Sequence, residues 1–248
     1  MKYCGRSIYF LLLISFSVLL FSAPAQALDA SDKPQIEKII REYLLKNPGI
    51  LQEMQQIFEA KQKEEQIARQ RDALKKKAEV IFASKYQVEI GAPDAKYQVV
   101  EFFDYNCPYC QRAMVDMEKI LESNPDVKFI IKEWPVLGQQ SYEAHNVSIA
   151  FGKLMPEKYR EFHQQLLAMK GRKGEKKAIE IALTFGIDEQ LLREEMKKPY
   201  VIEALQENNS IANDLGITGT PSYVIGNDVV FGAVGVAKLM THIDALKN

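Results

Sequence analysis

The chain has 248 residues, 47% of them hydrophobic, which is enough for one sizeable core with an appendage. Its 32 basic and 33 acidic residues leave a formal net charge of −1, so no whole-chain bias points to nucleic acid or to an anionic surface. Partners have to be argued from local features.

Lys2 and Arg6 precede an apolar run over residues 8–21, and Ala25-Gln26-Ala27 supplies a small-residue cleavage signal. Residues 1–27 therefore read as a secretory signal peptide cleaved after Ala27. The competing reading, an uncleaved membrane anchor, needs a longer run, because a bilayer span takes about 20 apolar residues. Cys4 lies before the apolar core and leaves with the signal, so the mature chain keeps two of the three cysteines.

Residues 28–85 read as a helical arm and spacer. Ile36, Ile39, Ile40, Tyr43 and Leu44 recur at helical spacing, with Ser31 or Asp32 to cap and Pro34 near the first turn. Asn47-Pro48-Gly49 interrupts that helix, and a second one begins at Ile50 with Leu51, Met54, Ile57 and Phe58 on one side. From residue 59 to 79 the sequence turns highly charged. Ala60, Ile67, Leu74 and Ile81 recur there at seven-residue intervals, but Lys63, Gln70 and Lys77 occupy the intervening positions. A regular coiled coil is thus replaced by a semi-flexible, solvated spacer. An amphipathic arm without a body of its own needs a partner surface: further copies of the chain, as a homodimer or homotrimer, or the face of the following domain. The first option accounts for both the apolar cluster at 50–58 and the charged segment.

A catalytic domain is expected over residues 86–248. Gly91-Ala92-Pro93-Asp94 marks a turn, and residues 97–103 form a buried strand that runs into Asn106-Cys107-Pro108-Tyr109-Cys110. A helix over 108–122, a stop at Asn124-Pro125-Asp126 and a strand over 127–132 complete a parallel β-α-β unit. Residues 141–215 show helical periods at 144–151, 159–169, 176–185 and 201–215 and no convincing strand, which predicts an all-helical insertion. Gly171-Arg172-Lys173-Gly174 breaks it with a basic loop, read as a solvated turn. Strands return at 222–225 and 229–231 around a Gly226-Asn227-Asp228 hairpin turn, and a helix over 236–246 ends the chain.

The two cysteines decide the chemistry. A secreted disulfide scaffold shows many cysteines, and a zinc site wants two more Cys or His ligands, whereas His145, His163 and His242 are scattered and read as surface or partly buried structural residues. No metal and no cofactor is expected. A thiol at the start of a helix meets the positive end of the helix dipole and unpaired N–H groups, which favour the thiolate. Helix geometry sets Cys110 one turn from Cys107, within reach of a disulfide, and Pro108 suits the first turn because it has no N–H to lose.

These elements describe an α/β protein with a thioredoxin-like fold, an all-helical insertion at about 141–215 and an N-terminal helical arm. Three separated motifs sharpen the reading: Glu101 six residues before Cys107, the Cys-Pro-Tyr-Cys sequence, and Thr218-Gly219-Thr220-Pro221 before the hairpin. Over residues 86–248 the chain resembles the DsbA family of bacterial thiol:disulfide interchange proteins. The arm, with Tyr43-Leu44-Leu45-Lys46-Asn47-Pro48, is similar to that of the ScsC-like, oligomeric branch.

The resemblance implies Cys107 as nucleophile, Cys110 as resolving thiol, Glu101 as a buried acid that handles the proton on Cys110, and a cis Thr220–Pro221 bond facing the pair. Pro108, Tyr109 and Thr220 would then contact substrate, and Tyr105 with Tyr109 would form an apolar rim. Lys132 and Trp134 end the second strand of the unit and could approach Glu101 from there, and Lys132 reads as a solvated strand end. Tyr109 stands where a histidine is usual in the family's strongest oxidant, and threonine before the proline resembles the periplasmic isomerases.

The function implied is a periplasmic thiol:disulfide oxidoreductase that forms or isomerises disulfides in unfolded or misoxidised exported proteins, with a membrane redox partner resetting the pair. Two alternatives stay open: an oligomeric periplasmic chaperone, and a soft-metal carrier that binds copper through the same thiols.

Overall fold

The computed structural model describes residues 32–247, and the expected signal peptide lies outside the described residues. The described residues divide into two units on either side of the Ala60–Lys61 bond.

In the first unit, α1 (Lys33–Lys46) begins after Asp32 with Pro34 in its first turn. It stops at Asn47, whose backbone N–H and side-chain amide both donate to the Tyr43 carbonyl, at 3.0 and 2.8 Å. α2 (Gly49–Phe82) follows at once. No residue of α1 is buried. Ile39, Ile40, Tyr43, Leu44 and Leu45, with Leu51, Met54, Ile57 and Phe58 of α2, all lie exposed. That is far more apolar surface than single exposed hydrophobic residues explain.

The second unit is built on a five-stranded sheet of β1 (Val88–Gly91), β2 (Tyr97–Phe103), β3 (Val127–Glu133), β4 (Ser222–Ile225) and β5 (Asp228–Phe231) in the order β1-β3-β2-β4-β5. β2 and β3 pair in parallel, joined through α3 (Pro108–Ser123), and the other pairings are antiparallel. β4 and β5 form the expected hairpin, with Gly226 at φ 58°, a left-handed turn conformation suited to glycine. Between β3 and β4 lie α4 (Gln139–Leu154), a short 3₁₀ turn, α5 (Tyr159–Ala168), α6 (Glu175–Leu183), α7 (Glu189–Met196) and α8 (Pro199–Asp214), and α9 (Val236–Ala245) closes the chain. The insertion is helical as expected. α7 was not foreseen: it is short and charged, and its local signal is Asp188, which caps it by accepting from the Leu191 N–H at 2.8 Å.

Alternation along the strands sorts the two faces. Val99 and Phe103 of β2, Val127, Phe129 and Ile131 of β3, and Tyr223 and Ile225 of β4 pack into a core with α3 to α7 and α9. Val100 and Phe102, Ile130 and Val224 point to the other face, where a second core includes Trp134, Leu74, Ile81, Ile211 and Leu215. That second face needs a cover, and the end of α2 provides it together with α8.

This corrects the expectation of a solvated spacer running to residue 79. Gln70 donates to the Leu215 carbonyl at 2.8 Å, Lys77 pairs with Asp214, and Leu74 and Ile81 are fully buried. The helix leaves regular geometry at Lys77, with φ −113° and ψ 15°. Of the seven-residue series only these last two members reach the core, while Ile67 remains exposed.

Lys132 is likewise not a solvated strand end. It is 1% exposed, and its ammonium donates to the Val80 carbonyl at 2.8 Å and to Gln87 Oε1 at 3.2 Å, tying the last turn of α2 to the sheet. Burial brings its pKa down to about 8. Neither Lys132 nor Trp134 approaches Glu101. Lys132 pairs in register with Phe102, and strand parity sends Glu101 to the opposite face.

Candidate active site

β2 ends at Phe103, and the chain turns through Asp104, Tyr105 and Asn106 before Cys107 caps α3. Asp104 organises that turn. Its Oδ1 accepts from the Asn106 N–H at 2.7 Å and the Ser141 hydroxyl at 2.8 Å, and its Oδ2 from the N–H groups of Val136 and Leu137 at 2.8 and 3.0 Å. Four donors on one fully buried carboxylate hold the turn against the loop after β3. An acid just before a helix start is a common turn and cap signal, yet its long-range partners are invisible in sequence.

Cys107 takes an extended conformation, φ −83° and ψ 118°, and Pro108 opens the helix. The N–H groups of Cys110 and Gln111 donate to the Cys107 carbonyl at 3.1 and 3.3 Å. When protonated, the Cys107 thiol donates to the Thr220 carbonyl at 3.2 Å. The Thr220–Pro221 bond is cis, and Pro221 is buried beside β4. The two cysteines are not bridged.

The environments of the two sulfurs differ sharply. A hydrogen bond from the Cys110 thiol, with further ones from the Thr220 side chain and from the backbone N–H groups of Cys110 and Tyr109, lowers the Cys107 pKa to about 5 despite its burial. Cys110 is 1% exposed; burial, its bond to Cys107 and the nearby Glu101 push its thiol far above the ordinary range. Glu101 sits on central β2, 3% exposed, between Ile131 and Tyr223 of the neighbouring strands. Burial first, then the charges of Asp116 and Cys107, pushes its pKa up to about 8. One group is thus kept ionised and two are kept protonated at neutral pH.

Among the residues singled out from sequence, Cys107, Cys110, Glu101, Thr220 and Pro221 come together, and Pro108 and Tyr109 lie on the exposed edge. Tyr109 is 56% exposed, with the Arg112 guanidinium 5.0 Å from its ring centroid. Tyr105 is not part of that rim. It is fully buried, and its hydroxyl bonds to Ser148 at 2.7 Å and His163 Nδ1 at 3.2 Å. The exposed apolar neighbours of the site are instead Val136 and Leu137.

His145 and His163, expected from sequence as surface or partly buried structural residues, are structural but buried throughout rather than in part. Both are buried, and with Tyr105, Ser148 and Tyr159 they surround Glu133, which pairs with His145 and accepts from the Tyr159 hydroxyl at 2.6 Å. Burial takes the His163 pKa down to about 3, so it stays neutral. His145 Nε2 in turn accepts from the Tyr105 N–H at 3.4 Å, which supports the active-site turn from below. Among the described residues no group of three or more Cys, His, Asp or Glu side chains is arranged to hold a metal ion.

A five-stranded mixed sheet with a Cys-x-x-Cys pair at the first turn of the helix after its central strand defines a thioredoxin-like protein. The DSBA-like thioredoxin domain model matches residues 98–244, so the chain belongs to the DsbA-like family of thiol:disulfide oxidoreductases. A second model, the copper resistance protein ScsC N-terminal domain, matches residues 32–65. The chain is 26% identical over 157 residues to disulfide bond formation protein D of Bacillus subtilis, covering 59% of this chain and 70% of that protein. It is also similar to Proteus mirabilis ScsC in a transitional conformation, at 33% identity and a TM-score of 0.63, covering 88% and 98% of the two chains. Salmonella enterica Typhimurium BcfH gives 26% identity, a TM-score of 0.73 and coverage of 88% and 97%.

Proposed function

We propose that this protein is an exported, periplasmic thiol:disulfide oxidoreductase that both introduces and rearranges disulfides in other exported proteins. The reading rests on one observation: the Cys107-x-x-Cys110 pair opens α3 against the cis Thr220–Pro221 bond, with Cys107 Sγ 3.2 Å from the Thr220 carbonyl oxygen and with Glu101 buried on β2.

In the disulfide form, a substrate thiolate attacks Cys107 Sγ and breaks the Cys107–Cys110 bond. The leaving Cys110 thiolate takes the proton of Glu101, which is the weaker base of the two. A second substrate thiolate then attacks the substrate sulfur of the mixed disulfide and expels Cys107 as its stable thiolate. Two electrons pass from substrate to protein, and a membrane redox partner removes them. In isomerisation the Cys107 thiolate instead attacks a wrong substrate disulfide, and a different substrate thiolate later expels it, with no net electron transfer. Pro108, Tyr109, Thr220 and Pro221 shape the surface on which the substrate chain lies.

The arm gives this chemistry several sites at once. The exposed apolar residues of α1 and the start of α2 suit self-association into a homodimer or homotrimer, which presents more than one Cys107 to a single scrambled chain. Removal of residues 28–60 is the appropriate truncation, because a longer cut strips Gln70 and Leu74 from the second core. The truncated protein is expected to be monomeric, to keep its oxidase activity and to lose most of its ability to rescue a scrambled multi-disulfide protein. Light scattering and refolding assays on both forms check this; a truncated monomer that isomerises as well as the full chain would defeat the multi-site role. The domain division at 28–85 and 86–248 stands as part of this proposal, with the last turns of α2 built into the catalytic unit.

A further inference from the structure

Among the described residues, four cations close to the candidate site, Arg112, Lys170, Arg172 and Lys173, form no ion pair with a carboxylate. The segment Met169-Lys170-Gly171-Arg172-Lys173-Gly174 between α5 and α6 carries three basic residues and no acidic one. Its sequence reads as a solvated turn, but the structure fastens it along the cysteine motif. Gln111 of α3 donates to the Ala168 carbonyl at 3.5 Å. The Asn106 side chain accepts from the Lys173 N–H at 2.7 Å and donates to the Lys173 carbonyl at 2.8 Å. Arg172 donates to the Leu137 carbonyl at 2.8 Å and to Gln140 Oε1 at 3.1 Å. The basic stretch therefore runs from the first turn of α3, past the residue before Cys107, to the exposed Val136–Leu137 pair.

All of these fastening partners are neutral. Among the described residues, no carboxylate forms an ion pair with Lys170, Arg172, Lys173 or Arg112, whereas nearby Glu175 and Glu180 are paired with Arg193 and Lys176. Asp104 attracts Lys173 through space but already accepts four hydrogen bonds. Lys170, Arg172 and Arg112 are exposed, and Arg112 lies over Tyr109 inside the motif itself. Lys173 is only 7% exposed; burial and Lys177 hold its ammonium below the usual lysine range, while Asp104 and Cys107 act on it in the opposite direction. Unpaired charge of one sign beside a reactive group attracts the opposite charge from solution and raises its encounter rate.

We propose that Lys170, Arg172 and Lys173, with Arg112 on α3, form a docking strip for an acidic polypeptide segment adjoining the cysteine that exchanges with Cys107. A polypeptide rather than a small anion is the fitting occupant, because the strip is bounded by exposed Tyr109, Val136 and Leu137, which offer apolar contact to neighbouring side chains of an extended chain. The proposal rests on the thiol:disulfide reading above and adds which substrates that site favours.

The test uses the reduced full-length protein and three peptides, each with one cysteine held as a disulfide to 2-mercaptoethanol and flanked by acidic, neutral or basic residues. Exchange converts the dithiol to the Cys107–Cys110 disulfide and releases the peptide thiol and 2-mercaptoethanol. At low ionic strength the acidic peptide should react at least about tenfold faster than the basic one, and about 0.5 M salt should remove most of that ratio. In the triple variant Lys170→Gln, Arg172→Gln, Lys173→Gln the ratio should fall close to one; as a ratio, it cancels any general change in Cys107 reactivity. A wild-type ratio near one, or a ratio that the triple variant retains, overturns the docking strip. No exchange with any of the three peptides overturns the underlying oxidoreductase reading instead.

Discussion

Replacement of Cys107 by serine is expected to reduce thiol–disulfide exchange to the uncatalysed background, while Cys110→Ala should keep attack but accumulate mixed disulfides with substrates. The asymmetry follows from the two microenvironments. Cys107, with its pKa at about 5, is a thiolate throughout the neutral range, and a serine hydroxyl in its place does not ionise there. Cys110 is buried with its thiol held far above the ordinary range, so it serves only from inside, against a sulfur already bound to Cys107. Alkylation of the reduced protein gives the pH test. A depressed value means that the rate climbs as pH rises through about 5 and is flat from 6 to 8, where an ordinary thiol is still climbing. A rate that follows a value near 8.5 would remove the basis of this assignment, as would full exchange activity in Cys107→Ser.

The second large effect concerns stability. Glu101→Gln is expected to stabilise the reduced form by roughly 3 kcal/mol at pH 7, an unusual direction for a buried substitution. An unfolded glutamate ionises near 4.5, whereas burial keeps this one protonated up to about 8. The folded chain therefore holds a proton that the unfolded chain releases between those two values. Stability carried by Glu101 is intact below pH 4.5 and is lost progressively as pH rises to 8. Glutamine keeps the size and the hydrogen-bonding capacity without the titration. Urea unfolding at pH 5, 7 and 8 should show the variant's advantage growing with pH. An advantage that is independent of pH would mean that the raised value is wrong, and a destabilised variant would mean that the carboxyl makes contacts that glutamine does not replace. Because glutamine cannot deliver the proton to Cys110, attack on the disulfide form should also slow.

The parts of the fold legible in the sequence were those set by local pattern. The β2 apolar run, the cysteine pair behind it, the proline after Thr220 and the hairpin at Gly226 all carry their meaning within a few residues. Glu101 was legible because an acid inside an apolar strand has few reasons to be there. What stayed hidden depends on contacts far apart in the chain. Leu74 and Ile81 look like a thin stripe on a charged helix until Val100, Phe102 and Ile130 are seen to need a cover. Lys132 looks exposed until the helix end delivers the Val80 carbonyl to it. Tyr105, His145 and His163 are polar residues that satisfy one another inside, which no single segment announces. The basic loop is an ordinary turn until Asn106 is found holding it.

Trp134, the chain's single tryptophan, sits in the second core, edge-on to Phe102 at 6.3 Å and bonded through its indole N–H to Asn209 at 3.2 Å. Leu74 and Ile81 belong to the same cluster. The protein thus carries a built-in optical reporter at the seam where α2 meets the sheet, and selective indole excitation observes that seam free of other tryptophans. If the end of α2 undocks before the sheet melts, indole emission will shift to the red while near-ultraviolet dichroism from the tyrosines around Glu133 is still intact, which resolves in one sample the order in which the two layers open.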